Sequence, residues 1–340
     1  MNENGLEFSQ IGRNARVILQ IIQADQLSLI WERFISKCNV ILTGDELGTG
    51  VSVRIGYLAP ILSLAIQRFL YSHMYTTMGL LGLFIAARGM HGLNINHVLP
   101  IVSITITTTG LYVLNDVFDI EIDRISHPER ALPQGRVSVP QALITAILLL
   151  AIGPVIAIWV SLTSGLLVGM IALCGIAYSV PPIRLRRFPV VPNGVIGFMV
   201  VLSFLAGASF WGRITGKLAF GGLLLWALFL FHSPEKDLDQ EEGDAVGGVK
   251  TLPVILGRQR AIKITSAMGL SAFVFPILFV LLFDLHLILV AAMVLLFLAE
   301  AYELRRFSLA PDPAAGRVWY LGLFGVFVVL QVLLLIGALL

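Results

Sequence analysis

Long apolar runs occupy most of this chain and restrict it to a helical fold within a membrane. Each run is long enough to cross about 30 Å of hydrocarbon as an α-helix. Of the 340 residues, 57% are hydrophobic and 13% are charged, whereas roughly a quarter of residues in soluble domains are charged. A backbone in lipid must satisfy its own hydrogen bonds, so we expect an all-α polytopic bundle of about nine transmembrane helices. The predicted spans are residues 76–93, 97–118, 139–160, 163–181, 191–211, 217–234, 263–283, 285–304 and 318–340.

The start of the chain differs from this pattern. We predict an N-terminal extension over residues 1–75 and a transmembrane domain over residues 76–340. Apolar residues between positions 17 and 34 recur at helical spacing among polar ones, which fits an amphipathic helix on the bilayer and, equally, a packed extramembrane hairpin. The first 50 residues lack a basic start followed by an apolar core and a cleavage site, so we expect the later spans to direct insertion.

A further apolar run, residues 56–71, stands apart from the predicted spans. It contains Pro60, which interrupts a helix, and Arg68, a charge that is costly in lipid. The run could be a poor span or an interfacial helix, and we interpret it as interfacial.

Charged residues indicate how the predicted helices are oriented. Most Lys and Arg residues lie in the loops after the second, fourth, sixth and eighth spans. The positive-inside rule therefore assigns these loops and the N-terminus to the cytoplasmic side of the cell membrane. Eleven of the 21 acidic residues fall in two segments, 116–129 and 235–244, each at the cytoplasmic end of a predicted helix. The net charge of +2 is too small and scattered to indicate a nucleic-acid partner.

The first acidic segment continues the second span and aligns oxygen ligands on one helix face. Asn115, Asp119 and Asp123 follow at intervals of four residues, with Asp116 beside them. Like charges this close repel, which favours a compensating cation. Carboxylate and amide oxygens without His or Cys are typical ligands of Mg²⁺ or Ca²⁺. The alternative is a solvated run of charges at a helix end.

The second acidic segment ends the sixth span and repeats this pattern. Asp237, Gln240, Glu241 and Asp244 are spaced to share one helix face. If the two acidic helix ends face each other, their ligands could hold two metal ions against one diphosphate. A solvated charge run is again the alternative.

Basic residues provide the complement that a diphosphate needs. Arg184 and Arg186 follow a pair of prolines after Tyr178, and guanidinium groups match the geometry of phosphate oxygens. Arg130 and Lys250 lie just beyond the two acidic segments. The positive-inside rule alone also accounts for such residues.

At these motifs the sequence resembles the UbiA superfamily of intramembrane prenyltransferases. Residues 115–138 resemble its first aspartate motif, residues 178–187 its tyrosine-proline-basic loop, and residues 236–257 its second aspartate motif. The resemblance covers roughly residues 76–340 and implies a UbiA-like fold.

The resemblance also implies roles for individual residues. Gln240 stands where the family often has an aspartate, and Asp237, one turn earlier, is the expected substitute, as in chlorophyll-synthase-like members. The expected arginine of the family's first helix is not recognisable. The predicted catalytic residues are Asp119, Asp123 and Asp244. The predicted Mg²⁺ ligands are Asn115, Asp116, Asp119, Asp123, Asp237 and Asp244. The predicted substrate-binding residues are Asn115, Arg130, Tyr178, Arg184, Arg186 and Lys250.

The implied reaction is Mg²⁺-dependent transfer of a prenyl group from an isoprenyl diphosphate to a lipophilic or aromatic acceptor within the membrane. Its allylic carbocation must be kept from water, so we expect an apolar, aromatic pocket. The second motif is similar to those of chlorophyll-synthase-like and archaeal glycerolipid members, which weighs against a hydroxybenzoate acceptor and leaves the acceptor open. The candidate aromatic residues, for which packing is the alternative role, are Tyr112, Phe118, Phe204, Trp226, Phe229 and Phe231.

Other functions remain open at this point. A UbiA-like terpene cyclase would ionise the same substrate without an acceptor. A divalent-cation transporter would also carry intramembrane carboxylates, although transport requires no arginine loop and the acids lie at one membrane face. A purely structural role leaves the clustering of the acids unexplained.

Overall fold

The computed structural model describes residues 59–87, 95–212, 214–238, 240–309 and 313–339. These ranges are helical, with no β-strand among them. The predicted amphipathic segment near residues 17–34 lies outside them. In chain order, the α-helices are α1 (Ala59–Tyr71), α2 (His73–Ala87), α3 (Leu99–Phe118), α4 (Ile120–Ser126), α5 (Val139–Val160), α6 (Leu162–Ser179), α7 (Val191–Ala208), α8 (Gly216–His232), α9 (Glu241–Val246), α10 (Leu252–Leu256), α11 (Arg258–Ala272), α12 (Val274–Leu282), α13 (Ile288–Ser308) and α14 (Pro313–Leu339).

Several of these helices are long and apolar enough to cross a bilayer, as expected for an integral membrane protein. Within the described ranges there are six: Asn96–Phe118, Val139–Val160, Leu162–Ser179, Val191–Trp211, Gly216–Asp237 and Arg258–Leu282. Two shorter apolar helices cover His73–Ala87 and Gly325–Leu339. The all-helical membrane architecture agrees with the sequence analysis, but the predicted count of about nine spans is not confirmed.

The run at residues 56–71 is described from Ala59 onward, and its interpretation as an interfacial helix stays a prediction. Its described part, α1, packs against α3 and buries Leu64 and Arg68. The Ser72 amide donates to the Arg68 carbonyl, and the Thr76 amide donates to the Ser72 carbonyl, both at 3.1 Å. The helical hydrogen-bond pattern thus continues from α1 into α2. Helix α1 therefore leads into α2 through a turn at Ser72 that keeps the backbone hydrogen-bonded, and its buried Arg68 has a carboxylate partner in the bundle.

Helices α2 and α7 cross in close contact at glycines. A Cβ atom on Gly82 would overlap the Phe204 carbonyl, and one on Gly207 would overlap the Gly79 carbonyl. Small residues allow two membrane helices to approach this closely and to gain van der Waals contact along their backbones. Phe204 and Phe229 are fully buried in the core beside this crossing. The structure therefore assigns these two predicted aromatic candidates to packing.

Helix α5, in contrast, exposes much of its apolar surface. Apolar side chains along its outer face are exposed, and Trp159 is 88% accessible. An apolar helix surface without a protein partner is what a bilayer covers.

Candidate active site

The two predicted acidic segments meet at one end of the bundle. Helix α4 directly follows α3, since the Asp119 amide donates to the Asn115 carbonyl at 2.9 Å and the Asp123 amide to the Asp119 carbonyl at 2.8 Å. Helix α9 packs on α4, because a Cβ on Gly243 would overlap the Ser126 hydroxyl. The motifs, far apart in sequence, thus form one surface.

Two arginines of the loop after α6 lie between these acidic segments. Arg184 Nη2 donates to Asp119 Oδ1 at 3.1 Å and to the Phe118 carbonyl at 3.3 Å. Arg186 contacts Asp119 through Nη1 and donates from Nη2 to Asp244 Oδ1 at 3.2 Å. One guanidinium therefore joins a carboxylate of the first motif to a carboxylate of the second.

Asp116 pairs with two further arginines. Arg68 Nε lies 2.5 Å from Asp116 Oδ2, and Arg130 Nη1 lies 3.8 Å from Asp116 Oδ1 and 2.6 Å from Asp123 Oδ1. Arg68 is only 4% exposed. Sequence reasoning did not include Arg68 in the site. The sequence feature that could have identified it is a single arginine within an apolar run. A charge at membrane depth needs a partner, so such an arginine indicates a nearby carboxylate.

Asn115 and Tyr178 contribute from α3 and α6. The Asn115 amide nitrogen donates to the Ser179 hydroxyl at 3.3 Å, which leaves its amide oxygen available as a ligand. Tyr178, next to Ser179, lies within electrostatic range of Asp237 and Asp244. Both predicted residues therefore border the acidic surface.

Asp237 and Lys250 differ in their relation to this surface. Asp237 is buried and lies 2.5 Å from the Lys236 ammonium, which also donates to Asn193 Oδ1 at 3.4 Å. The Lys250 side chain is exposed, and its backbone amide donates to the Arg187 carbonyl at 3.3 Å. The backbone of Lys250 thus links the second motif to the arginine loop by a hydrogen bond. The role of its side chain in substrate binding stays a prediction.

We call this assembly the acid–arginine cluster. Each of its carboxylates has a basic neighbour, so its formal charges balance. Burial raises the pKa of Asp244, while the Arg186 guanidinium opposes that shift. The ion pairs join Asp116, Asp119, Asp123, Asp237 and Asp244 to Arg68, Arg130, Arg184, Arg186 and Lys236.

The donor set of the acid–arginine cluster fits Mg²⁺. Its candidate ligands are carboxylate and amide oxygens, which a hard cation prefers. Asp123 Oδ2 is buried and has no hydrogen-bond partner among the described residues, although a buried carboxylate oxygen ordinarily has one. Asp116 and Asp119 each have two arginine neighbours, and the metal role of Asp116 stays a prediction.

Tyrosine rings adjoin the arginine side of the cluster. The Tyr112 ring centroid is 6.1 Å from that of Tyr71 and 6.4 Å from that of Tyr75. The Arg68 guanidinium carbon lies 5.1 Å from the Tyr71 centroid. Of the predicted aromatic candidates, Tyr112 is therefore beside the site, while Phe231 packs on Phe275 with centroids 5.5 Å apart.

An apolar groove between α6 and α7 begins at the arginine loop. Its volume is about 620 Å³, within the range of about 300–1,000 Å³ that is usual for ligand pockets. Trp226 forms one wall and donates its indole N–H to the Gly194 carbonyl at 3.0 Å. Leu185, between Arg184 and Arg186, forms one end. The lining residues are Leu173, Cys174, Ala177, Leu185, Val191, Gly194, Val195, Phe198 and Trp226.

Comparisons with known proteins identify relatives in archaea. The chain is 32% identical over 188 residues to digeranylgeranylglyceryl phosphate synthase of Thermococcus kodakarensis, which covers 54% of this chain and 65% of the relative. The chain thus spans slightly less than two thirds of that relative's length. A second synthase of the same name, from Methanococcoides burtonii, is 30% identical over 196 residues, which is 56% of this chain and 68% of that protein.

Solved structures share the fold. A UbiA homologue from Archaeoglobus fulgidus, bound to GPP and Mg²⁺, aligns with a TM-score of 0.58 at 18% identity and covers 78% of this chain and 99% of that one. Residues 74–338 match the sequence profile of the UbiA prenyltransferase family. This match extends over more than half of the chain and includes both acidic segments and the arginine loop. The chain therefore belongs to the UbiA prenyltransferase family.

Proposed function

We propose that this protein transfers a prenyl group from an isoprenyl diphosphate to a lipophilic acceptor at the acid–arginine cluster. The observation that carries the proposal is the contact of Arg186 with both Asp119 and Asp244. It joins the two acidic segments around one guanidinium, as a shared diphosphate site requires. The family membership of the chain supports the same chemistry.

The arginines bind the diphosphate. Arg184 and Arg186 pair with carboxylates, and an incoming diphosphate offers them stronger bidentate oxygen acceptors. Arg130, 2.6 Å from Asp123, supplies a third guanidinium at the same surface. As the guanidiniums turn to the phosphate oxygens, the carboxylates that they release become free to hold cations.

Asn115, Asp119, Asp123, Asp237 and Asp244 hold Mg²⁺ in this proposal. Bound Mg²⁺ withdraws charge from the diphosphate leaving group as the allylic C–O bond breaks. The two motifs contribute together, because Asp119, Asp123 and Asp244 lose their basic neighbours when the arginines turn to the diphosphate, and their mutual repulsion then favours cations bound among them. Asp116 instead fixes Arg68 and Arg130 beside the ligands.

The prenyl group lies among tyrosines and apolar side chains. Tyr75 and Tyr112 have π faces that stabilise the allylic cation. Their ring centroids lie 6.4 Å apart, and Tyr112 also adjoins Tyr71, the ring beside the Arg68 guanidinium. The apolar groove that starts at Leu185 accommodates the tail of the donor, so that the diphosphate stays at the arginines. Shielding by these walls keeps water from the cation before the acceptor attacks.

The acceptor in this proposal is a glycerol-phosphate lipid. Two relatives are named as synthases of digeranylgeranylglyceryl phosphate, a name that describes two geranylgeranyl groups on one glyceryl phosphate. A geranylgeranyl donor and a glyceryl phosphate that already carries one such group are therefore the substrates to test first. The basic loops orient the site to the cytoplasmic face of the cell membrane.

The test is a transfer assay on the full chain purified in detergent. Radiolabelled geranylgeranyl diphosphate is incubated with Mg²⁺ and either geranylgeranylglyceryl phosphate or an aromatic acceptor. We expect a labelled, acceptor-dependent product that disappears with excess chelator. Asp119→Ala and Asp123→Ala should each lower kcat/KM by about 10²–10³-fold, as is usual when one group that stabilises the transition state is removed.

Glu121→Ala is the matched control for these variants. Glu121 lies on the same short helix but is exposed and paired with Arg124, so transfer should be unchanged. Full activity in Asp119→Ala and Asp123→Ala would refute the site. Diphosphate release without an acceptor would indicate a cyclase, and metal flux into liposomes without diphosphate turnover would indicate a transporter.

A further inference from the structure

We propose that His232, Glu235 and Glu300 bind a divalent transition-metal ion of the Zn²⁺ class, at a site separate from the acid–arginine cluster. Each residue offers one ligand atom, and these atoms all lie within 4.8 Å of one another. The three side chains are 7%, 2% and 0% exposed, respectively. We call this group the His232 cluster.

The carboxylates of the His232 cluster lack the partners that buried charges normally have. His232 Nε2 lies 3.1 Å from Glu300 Oε2 and 3.8 Å from Glu235 Oε2. Both oxygens of Glu235 and Oε1 of Glu300 are buried without a hydrogen-bond partner among the described residues. No ion pair of that part of the chain brings a Lys or Arg to either glutamate. Two adjacent carboxylates in a low-dielectric interior repel strongly, and one divalent cation cancels both charges.

The fold directs these side chains into one space. Glu235 and Asp237 lie on the 3₁₀-helix Ser233–Asp237, where three residues complete a turn. Residues two positions apart therefore point to different sides, so Asp237 belongs to the acid–arginine cluster and Glu235 faces Glu300 on α13. Gly269 on α11 provides the space for both carboxylates, because a Cβ there would overlap Glu235 Oε1 and lie 2.9 Å from Glu300 Oε1.

The ligand types distinguish this site from a second Mg²⁺ site. An imidazole nitrogen suits Zn²⁺, Fe²⁺ or Ni²⁺, whereas Mg²⁺ prefers oxygen ligands alone. One histidine with carboxylates is a ligand set that zinc accepts. The Phe327 ring stacks on His232 with centroids 4.2 Å apart and closes the site on that side. A metal enclosed in this way would tie the end of α8 to α13 as a structural clip.

The first experiment measures metal on the wild-type protein. The full chain, purified in detergent without chelator, is equilibrated with Zn²⁺, and free metal is removed before elemental analysis and zinc-edge X-ray absorption. We expect about one zinc per chain with mixed nitrogen and oxygen ligands at about 2.0–2.2 Å. A wild-type chain that retains no zinc, or zinc with oxygen ligands only, would overturn the proposal.

Variants then assign the ligands. Glu235→Gln and Glu300→Gln should each weaken zinc binding by at least about tenfold, since even outer-shell changes cost that much. Glu303→Gln is the control on the same helix, because Glu303 pairs with Arg306 outside the cluster. Asp123→Ala should also keep its zinc.

Loss of zinc in Asp123→Ala, with retention in Glu300→Gln, would assign the ion to the acid–arginine cluster and overturn the proposal. If the glutamine variants aggregate, the absorption spectrum of the wild type still decides, since it reports the imidazole ligand directly. None of these readouts uses prenyl transfer, so failure of this inference and failure of the proposed function are distinguishable.

Discussion

Two buried groups of ionisable side chains near the end of α8 differ in how their carboxylate charges are compensated. In the acid–arginine cluster, every carboxylate has a basic neighbour, as Asp119 has in Arg184 and Arg186. In the His232 cluster, the one basic group paired with Glu235 and Glu300 in the part of the chain that the structure describes is the imidazole of His232. The first group contains cations that an anionic substrate can recruit. The second contains acceptors that only a proton or a metal ion can satisfy.

This difference indicates what each group binds. The guanidinium groups can leave the carboxylates and bind a phosphate ester. The carboxylates that they leave can then bind hard cations. The His232 cluster includes no Lys or Arg among the described residues, so it presents hydrogen-bond acceptors rather than the guanidinium groups that bind an anion. Four predictions test this difference and the proposed site.

The largest effect is expected at Arg186. Arg186→Ala should lower kcat/KM for prenyl transfer by about 10²–10³-fold, because it removes a proposed phosphate ligand and the guanidinium that joins Asp119 to Asp244. Steady-state kinetics with geranylgeranyl diphosphate measures the loss. Arg187→Ala is the control, since Arg187 is exposed and lies over the Phe188 ring at 5.0 Å. Equal losses in both variants would mean that general basicity, rather than the contact between the two motifs, is what matters.

Arg68 should matter most for stability. Arg68→Met leaves Asp116 buried with only the more distant Arg130 nearby, and breaking a buried pair in this way typically costs about 3–5 kcal/mol. The thermal unfolding midpoint in detergent should therefore fall well below that of the wild type.

The control for Arg68 is Arg124→Met, which breaks an exposed pair with Glu121. Exposed pairs contribute at most about 1 kcal/mol, so its unfolding midpoint should barely move. If the two variants unfold alike, burial of the Arg68–Asp116 pair is not what stabilises α1 against α3.

The two clusters should respond to different metals. After chelation, Mg²⁺ should restore prenyl transfer, whereas Zn²⁺ should raise the thermal midpoint without restoring transfer. A ligand at about 100 times its Kd stabilises the native state by about 2.7 kcal/mol, and the Glu300→Gln variant should lack this gain. Calorimetry with each metal measures the shift. Stabilisation of Glu300→Gln by Zn²⁺ to the wild-type extent would contradict the assignment.

The smallest effect is expected in the apolar groove. A Cβ on Gly194 has open space around it, with Leu230 Cδ1 4.0 Å away, so Gly194→Leu should narrow the groove without distorting α7. The KM for geranylgeranyl diphosphate should rise about tenfold, whereas a short dimethylallyl donor should be unaffected. Gly169→Leu adds the same bulk to α6 where no atom lies within 4 Å and serves as the control. A similar KM change for both donors would exclude the groove as the tail site.

Much of the site could be predicted because its signals are local. Asn115, Asp119 and Asp123 share a helix face through spacing alone, and the structure keeps that face at the end of α3 and in α4. The positive φ of 36° at Arg184 belongs to a tight loop that the preceding prolines already indicated. In contrast, hydropathy counts Arg68 only as a cost and does not register its partner Asp116, so the sequence did not place this arginine in the site.

The helical membrane class, the two acidic segments and the family resemblance could all be read from the order of residues. Which charges meet depends on the packed bundle. Arg68 and Asp116 are 48 residues apart, and His232 and Glu300 are 68 residues apart. Hydrophobic periodicity specifies which face of each helix is buried, but the choice of neighbouring helix depends on how all the faces pack together, as at Gly82 and Gly207.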